Sequence, residues 1–562
     1  MKKIIITPAI VAIFFMLLFA CSEDFLNRPA QGNLDATTLA NQAGVEGNLI
    51  AAYALLDGTL DGGGSNWKLG SVSSDDAYKG SEPGDNQAST DIELYQWSTG
   101  LVDANMNTVW GVEYDGVSRC NATLNLLLTV EGISQEDQDR IKGEALFLRA
   151  WYHFELYKIW GNVPYYTETD VDYRKTNVGV DVLALCLTDL NEAINLLPET
   201  QAQVARVNRW TAKALKGKIE VWQEDWGAAL TTLRDVVDNG PFDLETNYHN
   251  VFDVAHNNGP ETILAFQASV NDGNPNGDNG NAPDRLNYPH SGSPFGCCGF
   301  HQPSQNLVNA FKVDANGLPF LDGSWNDTEY DPGTDPVDPR LDWTVGRDGV
   351  PFLDWGLHEA GWIRDRAWAG PYSIKKTVYE QASGAASAVG WAPYQLNSLN
   401  RHLIRYADIM LLLAEAEIHA GSLDNARVLI NEIRTRAAAG AQGPNGGPMV
   451  VPIDDASITW ANYSVGTYPD DASWDATKAM AALKMERRLE LGMEGHRLFD
   501  LRRWDDAITV LNDYIAVEST RRNYLTAAYT FEEKHMLYPL PITQIQLSQV
   551  EGEDRLVQNP GW

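Results

Sequence analysis

The sequence predicts a mainly α-helical protein in which tetratricopeptide-like helix pairs form a scaffold around a large, irregular, loop-rich ligand-binding portion. Two blocks, at about 105–240 and 401–540, place apolar residues at helical spacing and end their helices at Gly or Pro. Between them, about 248–400 is rich in Gly, Pro, Asn and Asp, and about 57–104 has a similar composition. These observations predict one helical domain over 37–562 that carries two loop-rich insertions.

The helical blocks predict pairs of helices separated by short turns. Gly143–Gly161 carries Ala and Leu on one face, which allows close helix contact, and Pro164 follows it. Pairs of this length resemble tetratricopeptide units of roughly 34 residues. The other predicted helices are Thr37–Leu56, Asp181–Leu197, Trp210–Glu224, Trp226–Asn239, Leu403–Ala420 and Leu423–Ala439.

The charged stretch Met485–Trp504 is predicted to form one further helix. Arg487 with Glu490, and Glu494 with Arg497, lie three residues apart, which is close enough to pair along a helix. An acid/base site at His496 is the alternative interpretation, but no HExxH spacing occurs here. The composition favours a structural helix held by ion pairs between arginine and carboxylate.

The overall charge limits the classes of partner. The formal net charge is −34 and the pI is about 4.6. Such an excess of carboxylates repels phosphate backbones and anionic lipid, and it is compatible with neutral ligands. GxGxxG, GxxxxGK[ST] and HExxH are all absent from the sequence, so no cofactor or metal is expected.

The N-terminus predicts a lipoprotein signal. Two lysines precede an apolar run that ends at Ala20, and Cys21 follows. Leu18-Phe19-Ala20-Cys21 resembles a lipobox, so 1–20 is predicted to be removed, Cys21 to be acylated and 21–36 to form a tether. A signal peptide with an incidental cysteine and an uncleaved anchor helix are the alternatives.

Carboxylates and aromatic residues in the loop-rich portion predict a site for sugars. Carboxylates accept paired hydrogen bonds from vicinal hydroxyls, and an aromatic ring stacks on the apolar face of a sugar ring. Packing of these side chains in the core is the alternative for each of them. The candidate ligand-binding residues are Asp75, Asp76, Trp97, Tyr288, Trp325, Trp355 and Trp362.

The remaining four cysteines fall into two groups. Cys120 and Cys186 lie in apolar helical patterns and are expected to be buried thiols. Cys297 and Cys298 are adjacent, and no CxxC spacing surrounds them. In a secreted protein these two residues suggest a vicinal disulfide, a hypothesis that free thiols in unreduced protein would contradict.

Several stretches together resemble the SusD/RagB family of outer-membrane glycan-binding lipoproteins. The stretches are Cys21–Pro29, Gly143–Pro164, Asp338–Leu341, Arg405–Ala416, Asn431–Ala437, Met485–Trp504, Tyr538–Pro541 and Gln558–Trp562. The resemblance implies a helical scaffold with a loop-borne glycan site and no catalysis. It also implies a SusC-like TonB-dependent transporter as partner, and lipid anchoring at the outer membrane on its extracellular side. A secreted glycoside hydrolase and a tetratricopeptide interaction lipoprotein without a sugar ligand are the alternatives.

Overall fold

The computed structural model describes residues 39–58, 66–98, 100, 103–290, 292–390 and 393–562. The predicted signal, the acylation site Cys21 and the tether lie outside these residues. Within them, no helix combines the length and the apolar character needed to cross a bilayer.

Helices dominate the described chain, which confirms the predicted fold class. The α-helices are α1 (Gln42–Tyr53), α2 (Gln87–Glu93), α3 (Asp103–Leu127), α4 (Gln135–Trp160), α5 (Val182–Leu196), α6 (Arg209–Trp222), α7 (Trp226–Asn239), α8 (Gln305–Ala310), α9 (Leu341–Thr344), α10 (Arg366–Ala369), α11 (Tyr406–His419), α12 (Leu423–Ala438), α13 (Ala476–Leu491), α14 (Arg497–Arg503), α15 (Ala507–Glu518) and α16 (Ile542–Leu547). Trp67–Val72 is a π-helical turn. The 3₁₀ turns are Ala54–Asp57, Tyr248–Phe252, Val254–His256, Ser324–Asn326, Ala360–Trp362, Gln381–Ser383, Pro393–Gln395, Asn523–Ala527 and Glu533–Met536.

The strands are short and pair two by two. They are β1 (Ala77–Gly80), β2 (Thr262–Phe266), β3 (Phe300–Pro303), β4 (Pro336–Val337), β5 (Val345–Gly346), β6 (Ser373–Ile374), β7 (Arg401–Arg405), β8 (Ala441–Gln442), β9 (Pro448–Met449) and β10 (Asn462–Tyr463). The pairs β1–β3, β2–β7, β5–β6 and β8–β9 are antiparallel, and β4–β10 is parallel. The β2–β7 ladder places Thr262 opposite Arg405 and joins the two ends of the long insertion.

Local capping explains where the scaffold helices begin. The Ser134 hydroxyl accepts a hydrogen bond of 3.1 Å from the N–H of Asp137 at the start of α4, and Asp225 caps α7 in the same manner. Gly161, with φ of 70°, ends α4 as the sequence predicted. The predicted bounds Trp226–Asn239 agree with those of α7, and the helix predicted at Leu423–Ala439 agrees to within one residue with α12.

The helices pack as consecutive pairs around one large core. α4 packs against both α3 and α5, α6 packs against α7, and α11 packs against α12 and α7. A side chain at Gly217 would collide with Leu233, so glycine lets α6 and α7 approach closely. Cys120 and Cys186 are buried thiols in this core, as predicted.

Three predicted helices are corrected. Residues Leu403–Arg405 belong to strand β7, so the helix predicted from Leu403 begins at Tyr406. The helix predicted at Thr37–Leu56 is observed, within the described residues, as the shorter helix α1 followed by a 3₁₀ turn. Met485–Trp504 is two helices, because Met493 and Gly495 have φ of 68° and 84° and turn the chain between α13 and α14.

The turn between α13 and α14 gives the charged residues partners that differ from the predicted ones. Arg487 pairs with Asp408 and Asp500, and Arg497 pairs with Asp75. We define a buried charge network, in which the carboxylates of α13 and the following turn meet basic residues from several elements. Its members are Arg340, Lys376, Arg405, Arg434, Arg436, Glu261, Asp338, Glu486, Glu490 and Glu494.

Glu490 lies at the centre of the network. Its carboxylate is 2.9 Å from Arg340 Nη1 and 2.6 Å from Arg405 Nη1, and it also pairs with Arg436. No side chain in these three pairs is more than 4% exposed. Burial alone would raise the pKa of Glu490, but the three guanidinium groups lower that pKa to about 2. The network therefore joins the helical scaffold to both ends of the insertion by charged contacts.

Candidate functional site

The predicted sugar contacts Asp75 and Asp76 lie inside the protein, where arginines occupy their carboxylates. Asp75 is 2.8 Å from Arg497 Nε and 3.1 Å from Arg488 Nη2. Asp76 is 3.0 Å from Arg488 Nε, and each aspartate is only 2% exposed. Burial opposes ionisation of Asp75, yet the two arginines lower its pKa to about 2. In this structure the pair is buried and fastens the segment before β1 to α13 and α14.

Three of the predicted aromatic contacts are core residues. Trp97 stacks on Tyr538 with ring centroids 3.9 Å apart, and its indole N–H donates to the carbonyl of Ile92. Tyr288 is buried and its hydroxyl donates to the carbonyl of Thr377. Trp362 is buried against Phe352. Trp97 belongs to the large core of the scaffold, whereas Tyr288 and Trp362 belong to a separate aromatic core of the loop-rich portion. The structure therefore does not place these three rings on a binding surface.

The other two predicted aromatics are half-buried and lie apart. The guanidinium of Arg488 lies 5.3 Å from the ring centroid of Trp325, so this ring covers the arginine that holds Asp76. Trp355 lies in the loop between β5 and β6, and its ring centroid is 4.6 Å from that of Phe295. Of the predicted residues, Trp355 has the surroundings that best suit contact with a ligand.

We define the loop platform as Trp355, Tyr394 and Cys297. The indole N–H of Trp355 donates to the carbonyl of Tyr379 over 2.7 Å, and the hydroxyl of Tyr379 donates to the carbonyl of Tyr394 over 2.9 Å. The amide of Gln395 donates to the carbonyl of Cys297. These bonds join three loops that are distant in sequence. Tyr394 is 55% exposed, so the loop platform opens to solvent.

Buried rings support the loop platform from below. Phe295 and Tyr379 lie within the aromatic cluster that also contains Tyr288, Phe352 and Trp362. The Asp354 carboxylate accepts backbone hydrogen bonds of 2.6 and 2.7 Å from Gln381 and Ala382, which orders the neighbouring loop. The packed base and these hydrogen bonds hold the Trp355 ring in one orientation and fix the backbone at Tyr394, a property that favours binding.

Cys297 and Cys298 are joined by a disulfide at the edge of the loop platform. Cys298 is buried and Cys297 is half-buried, so the disulfide lies at the boundary between the core and the surface. Gly296 and Gly299 flank the pair with φ of 78° and 76°, values that glycine adopts without a steric penalty.

Sequence reasoning missed Tyr394. It lies in Pro393-Tyr394-Gln395, a 3₁₀ turn in a Gly- and Ala-rich segment. The available signal was a large aromatic residue among small residues in an irregular segment. The same signal applied to Tyr288 and Trp362, which are buried, so it does not separate surface rings from core rings.

A concave surface, which we call the scaffold groove, lies on the helical scaffold. It has a volume of about 490 Å³ and is bounded by α3, the segment 166–175 and α16. Trp110, Tyr114 and Tyr166 line it, and Tyr173 at its rim is 74% exposed. None of the predicted site residues lies there, and many of its polar groups bond to one another, as Lys175 does with Asp170.

Comparison with known families decides the classification. A model of the SusD family matches residues 260–562, which is more than half of the chain. The chain belongs to the SusD family. A second model, described as "Starch-binding associating with outer membrane", matches residues 29–220.

Curated relatives and solved structures agree with this membership. A SusD-like protein of Bacteroides ovatus is 27% identical over 46% of this chain, and the match spans about half of that protein, 49%. SusD-like protein P25 of Formosa agariphila is 21% identical over 84% of this SusD-family chain and 82% of its own length.

The solved structures share the fold. A laminarin-binding SusD-like protein superposes with a TM-score of 0.67 at 22% identity, covering 93% of this chain and 100% of its own. Surface glycan-binding protein A from Bacteroides thetaiotaomicron, in complex with laminarihexaose, gives a TM-score of 0.65 at 19% identity and covers 92% of this chain and 99% of its own. The SusD-like fold of this chain therefore extends over nearly its whole length.

Proposed function

We propose that this SusD-family chain is a non-catalytic surface lipoprotein that binds an oligosaccharide or polysaccharide at the loop platform. The observation that carries the proposal is the placement of exposed Tyr394 and half-buried Trp355 on loops above a packed aromatic base. Exposed rings on loops that a rigid scaffold supports are typical of recognition surfaces. Such rings can stack on the apolar face of a sugar while polar groups at the rim accept its hydroxyl protons.

The charge of the protein narrows the ligand class. A net charge of −34 disfavours strongly anionic polymers, so neutral glycans are the preferred ligands. Affinity for a neutral glycan should change little between low and high salt, because no ion pair forms across the interface.

Localisation and partner are part of the same proposal. The sequence around Cys21 supports acylation and anchoring at the outer membrane, and the description of the family model that matches residues 29–220 mentions that membrane. Acyl chains contribute roughly 0.8 kcal/mol per buried CH₂, so several chains hold a protein firmly at a bilayer. The lipoprotein would face outward and deliver the captured glycan to a SusC-like TonB-dependent transporter.

Two carboxylates of the loop-rich portion are engaged in structural contacts, which supports binding without catalysis. A glycosidase needs two carboxyl groups held roughly 5 to 10 Å apart across a cleft. Asp354 accepts two backbone hydrogen bonds, and Asp348 pairs with His358 and Arg366. Both carboxylates hold loops in place. Incubation with candidate polysaccharides should release no oligosaccharide, and product formation by purified protein would favour the hydrolase alternative.

The test of the binding site compares two aromatic surfaces of the same protein. We expect Trp355→Ala and Tyr394→Ala each to weaken glycan binding by roughly 1 to 3 kcal/mol, which is about 5- to 150-fold in Kd. Tyr173→Ala is the matched control, because Tyr173 is an exposed ring at the scaffold groove.

Laminarihexaose, the ligand bound to surface glycan-binding protein A, is the first probe. Mannans, xylans, pectins and alginate complete the titration panel. If Tyr173→Ala alone lost glycan binding, the glycan site would be assigned to the scaffold groove. Failure of every glycan to bind, together with capture of the transporter, would favour the interaction-protein alternative.

A further inference from the structure

His249, Asp253 and Glu380 form a compact cluster of potential metal ligands at the base of the loop-rich portion. One ligand atom from each of the three lies within 4.8 Å of the others, and all three side chains are half-buried. His249 is in the 3₁₀ turn Tyr248–Phe252, and Asp253 follows that turn directly. Glu380 lies 131 residues from His249 in sequence, so no short sequence motif indicates the cluster.

The carboxylate oxygens of the cluster are only partly used by protein donors. Glu380 contacts Nε2 of His249 through one oxygen. Its other oxygen, Oε2, is buried and has no hydrogen-bond partner within the described part of the chain. Asp253 accepts one backbone hydrogen bond of 2.9 Å, from Ala255 to Oδ1. A buried carboxylate oxygen without a donor is costly, and a cation would remove that cost.

The imidazole of His249 is held in a fixed orientation. It stacks on the indole of Trp343 with centroids 4.2 Å apart and an interplanar angle of 18°. Trp343 is itself buried and donates its indole N–H to the carbonyl of Gly440. Stacking on a fixed indole restrains the orientation of the imidazole, so less ordering is needed when the ring acts as a ligand.

A buried ammonium group beside Trp343, that of Lys375, is already occupied. Lys375 lies 5.5 Å from the ring centroid of Trp343. It donates to the carbonyls of Asp342 and Pro351 over 2.6 and 2.7 Å, and to the side chain of Gln442. Its three donors therefore point to other acceptors. Two carboxylates share one imidazole, which leaves an excess of negative charge at the cluster.

We propose that His249, Asp253 and Glu380 bind a divalent transition-metal ion, with Zn²⁺ the preferred ion. One imidazole nitrogen and two carboxylate oxygens form a donor set that Zn²⁺ accepts, with water in the remaining position. Ca²⁺ and Mg²⁺ prefer oxygen ligands alone, so they should bind more weakly. The ion would tie the segment that follows Tyr379 to the turn at Tyr248–Phe252. This site goes beyond glycan capture, and its test requires no glycan.

The test measures metal binding directly. The purified full chain, carrying no histidine tag, is treated with a chelator, dialysed and titrated calorimetrically with ZnCl₂, and with CaCl₂ in parallel. We expect one saturable Zn²⁺ site and a higher Tm with Zn²⁺ than with chelator. His249→Gln and Asp253→Asn should each weaken binding at least about tenfold. Asp253→Asn leaves the His249–Glu380 contact in place. Weaker Zn²⁺ binding in this variant would therefore be due to the loss of a metal ligand and not to the loss of that contact.

His256→Gln is the matched control. His256 is a neighbouring half-buried histidine that pairs with Glu245 at 3.3 Å and lies outside the cluster. This variant should bind Zn²⁺ as the wild type does. The proposal is overturned if the wild type shows no saturable Zn²⁺ binding, or if Asp253→Asn binds as tightly as the wild type. A lower Tm for His249→Gln in chelator, with no response of the wild type or any variant to Zn²⁺, would also overturn the proposal and identify a plain ion pair.

Discussion

Replacing Glu490 with alanine should destabilise the protein far more than it weakens glycan binding. Glu490 contacts three buried guanidinium groups, those of Arg340, Arg405 and Arg436. Removal of one partner from a buried charge pair costs about 3 to 5 kcal/mol, because the remaining charges stay buried without compensation. The other carboxylates of the network bring the expected loss toward the lower part of that range.

The expected change in Tm follows from the size of the chain. Unfolding entropy near 60 °C is about 2.1 cal/mol/K per residue, which gives roughly 1.2 kcal/mol/K for 562 residues. A loss of 3 to 5 kcal/mol should therefore lower Tm by about 3 to 4 °C. Differential scanning fluorimetry measures this shift, and a glycan titration on the folded variant measures affinity.

The control variant is Glu192→Ala. Glu192 pairs with Lys142 at 2.5 Å, and the two side chains are 48% and 43% exposed. A surface pair of this kind contributes at most about 1 kcal/mol, so its loss should shift Tm by less than about 1 °C. The reasoning is refuted if Glu490→Ala shifts Tm no more than the control does. A folded Glu490→Ala protein with lost glycan affinity would instead assign α13 to the ligand site.

Three further predictions concern the core, the response to pH and the disulfide. Trp362→Ala should cost roughly 3 to 5 kcal/mol of stability as a core truncation, and differential scanning fluorimetry should show a lower Tm than that of the wild type. Burial raises the pKa of Glu93 from 4.5 to about 7, so its contribution to stability is full below pH 4.5 and is lost as the pH rises through 7. Glu93→Gln should consequently gain in Tm relative to the wild type at pH 8 and much less at pH 5; equal differences at both pH values would contradict this assignment. Alkylation of unfolded, unreduced protein should label Cys120 and Cys186 and leave Cys297 and Cys298 unlabelled in the mass spectrum, whereas labelling of all four would show free thiols.

The scaffold could be predicted from sequence because its signals are local. Apolar spacing and a terminal glycine locate α4, and the bounds of α7 agree with those predicted for it. The break after α13 depends on two residues with positive φ, one of them Met493, which has no strong preference of this kind. Residue composition alone therefore favoured one continuous helix.

The site residues were harder to predict because burial in a loop-rich region is a long-range property. Asp75 and Asp76 look like exposed polar residues beside glycine and serine, but their arginine partners lie more than 400 positions later in the chain. The loop tryptophans divide between an internal aromatic core and the surface, and nothing in their neighbouring sequence distinguishes Trp355 from Trp362. Tertiary contacts decide which ring faces solvent.

The β2–β7 ladder has a consequence for how the protein could be re-engineered. It places the chain entering the long insertion beside the chain leaving it, with Phe266 opposite Arg401. Arg405, at the end of the ladder, pairs with Glu261, Glu490 and Glu494. The loops between these strands therefore leave and rejoin the scaffold at one place, where the ladder and the ion pairs of Arg405 hold the two chain segments together. A different set of loops could be grafted there without redesign of the helices if it retained Arg340 and Lys376, because these two residues of the insertion pair with the buried carboxylates of α13 and the turn after it.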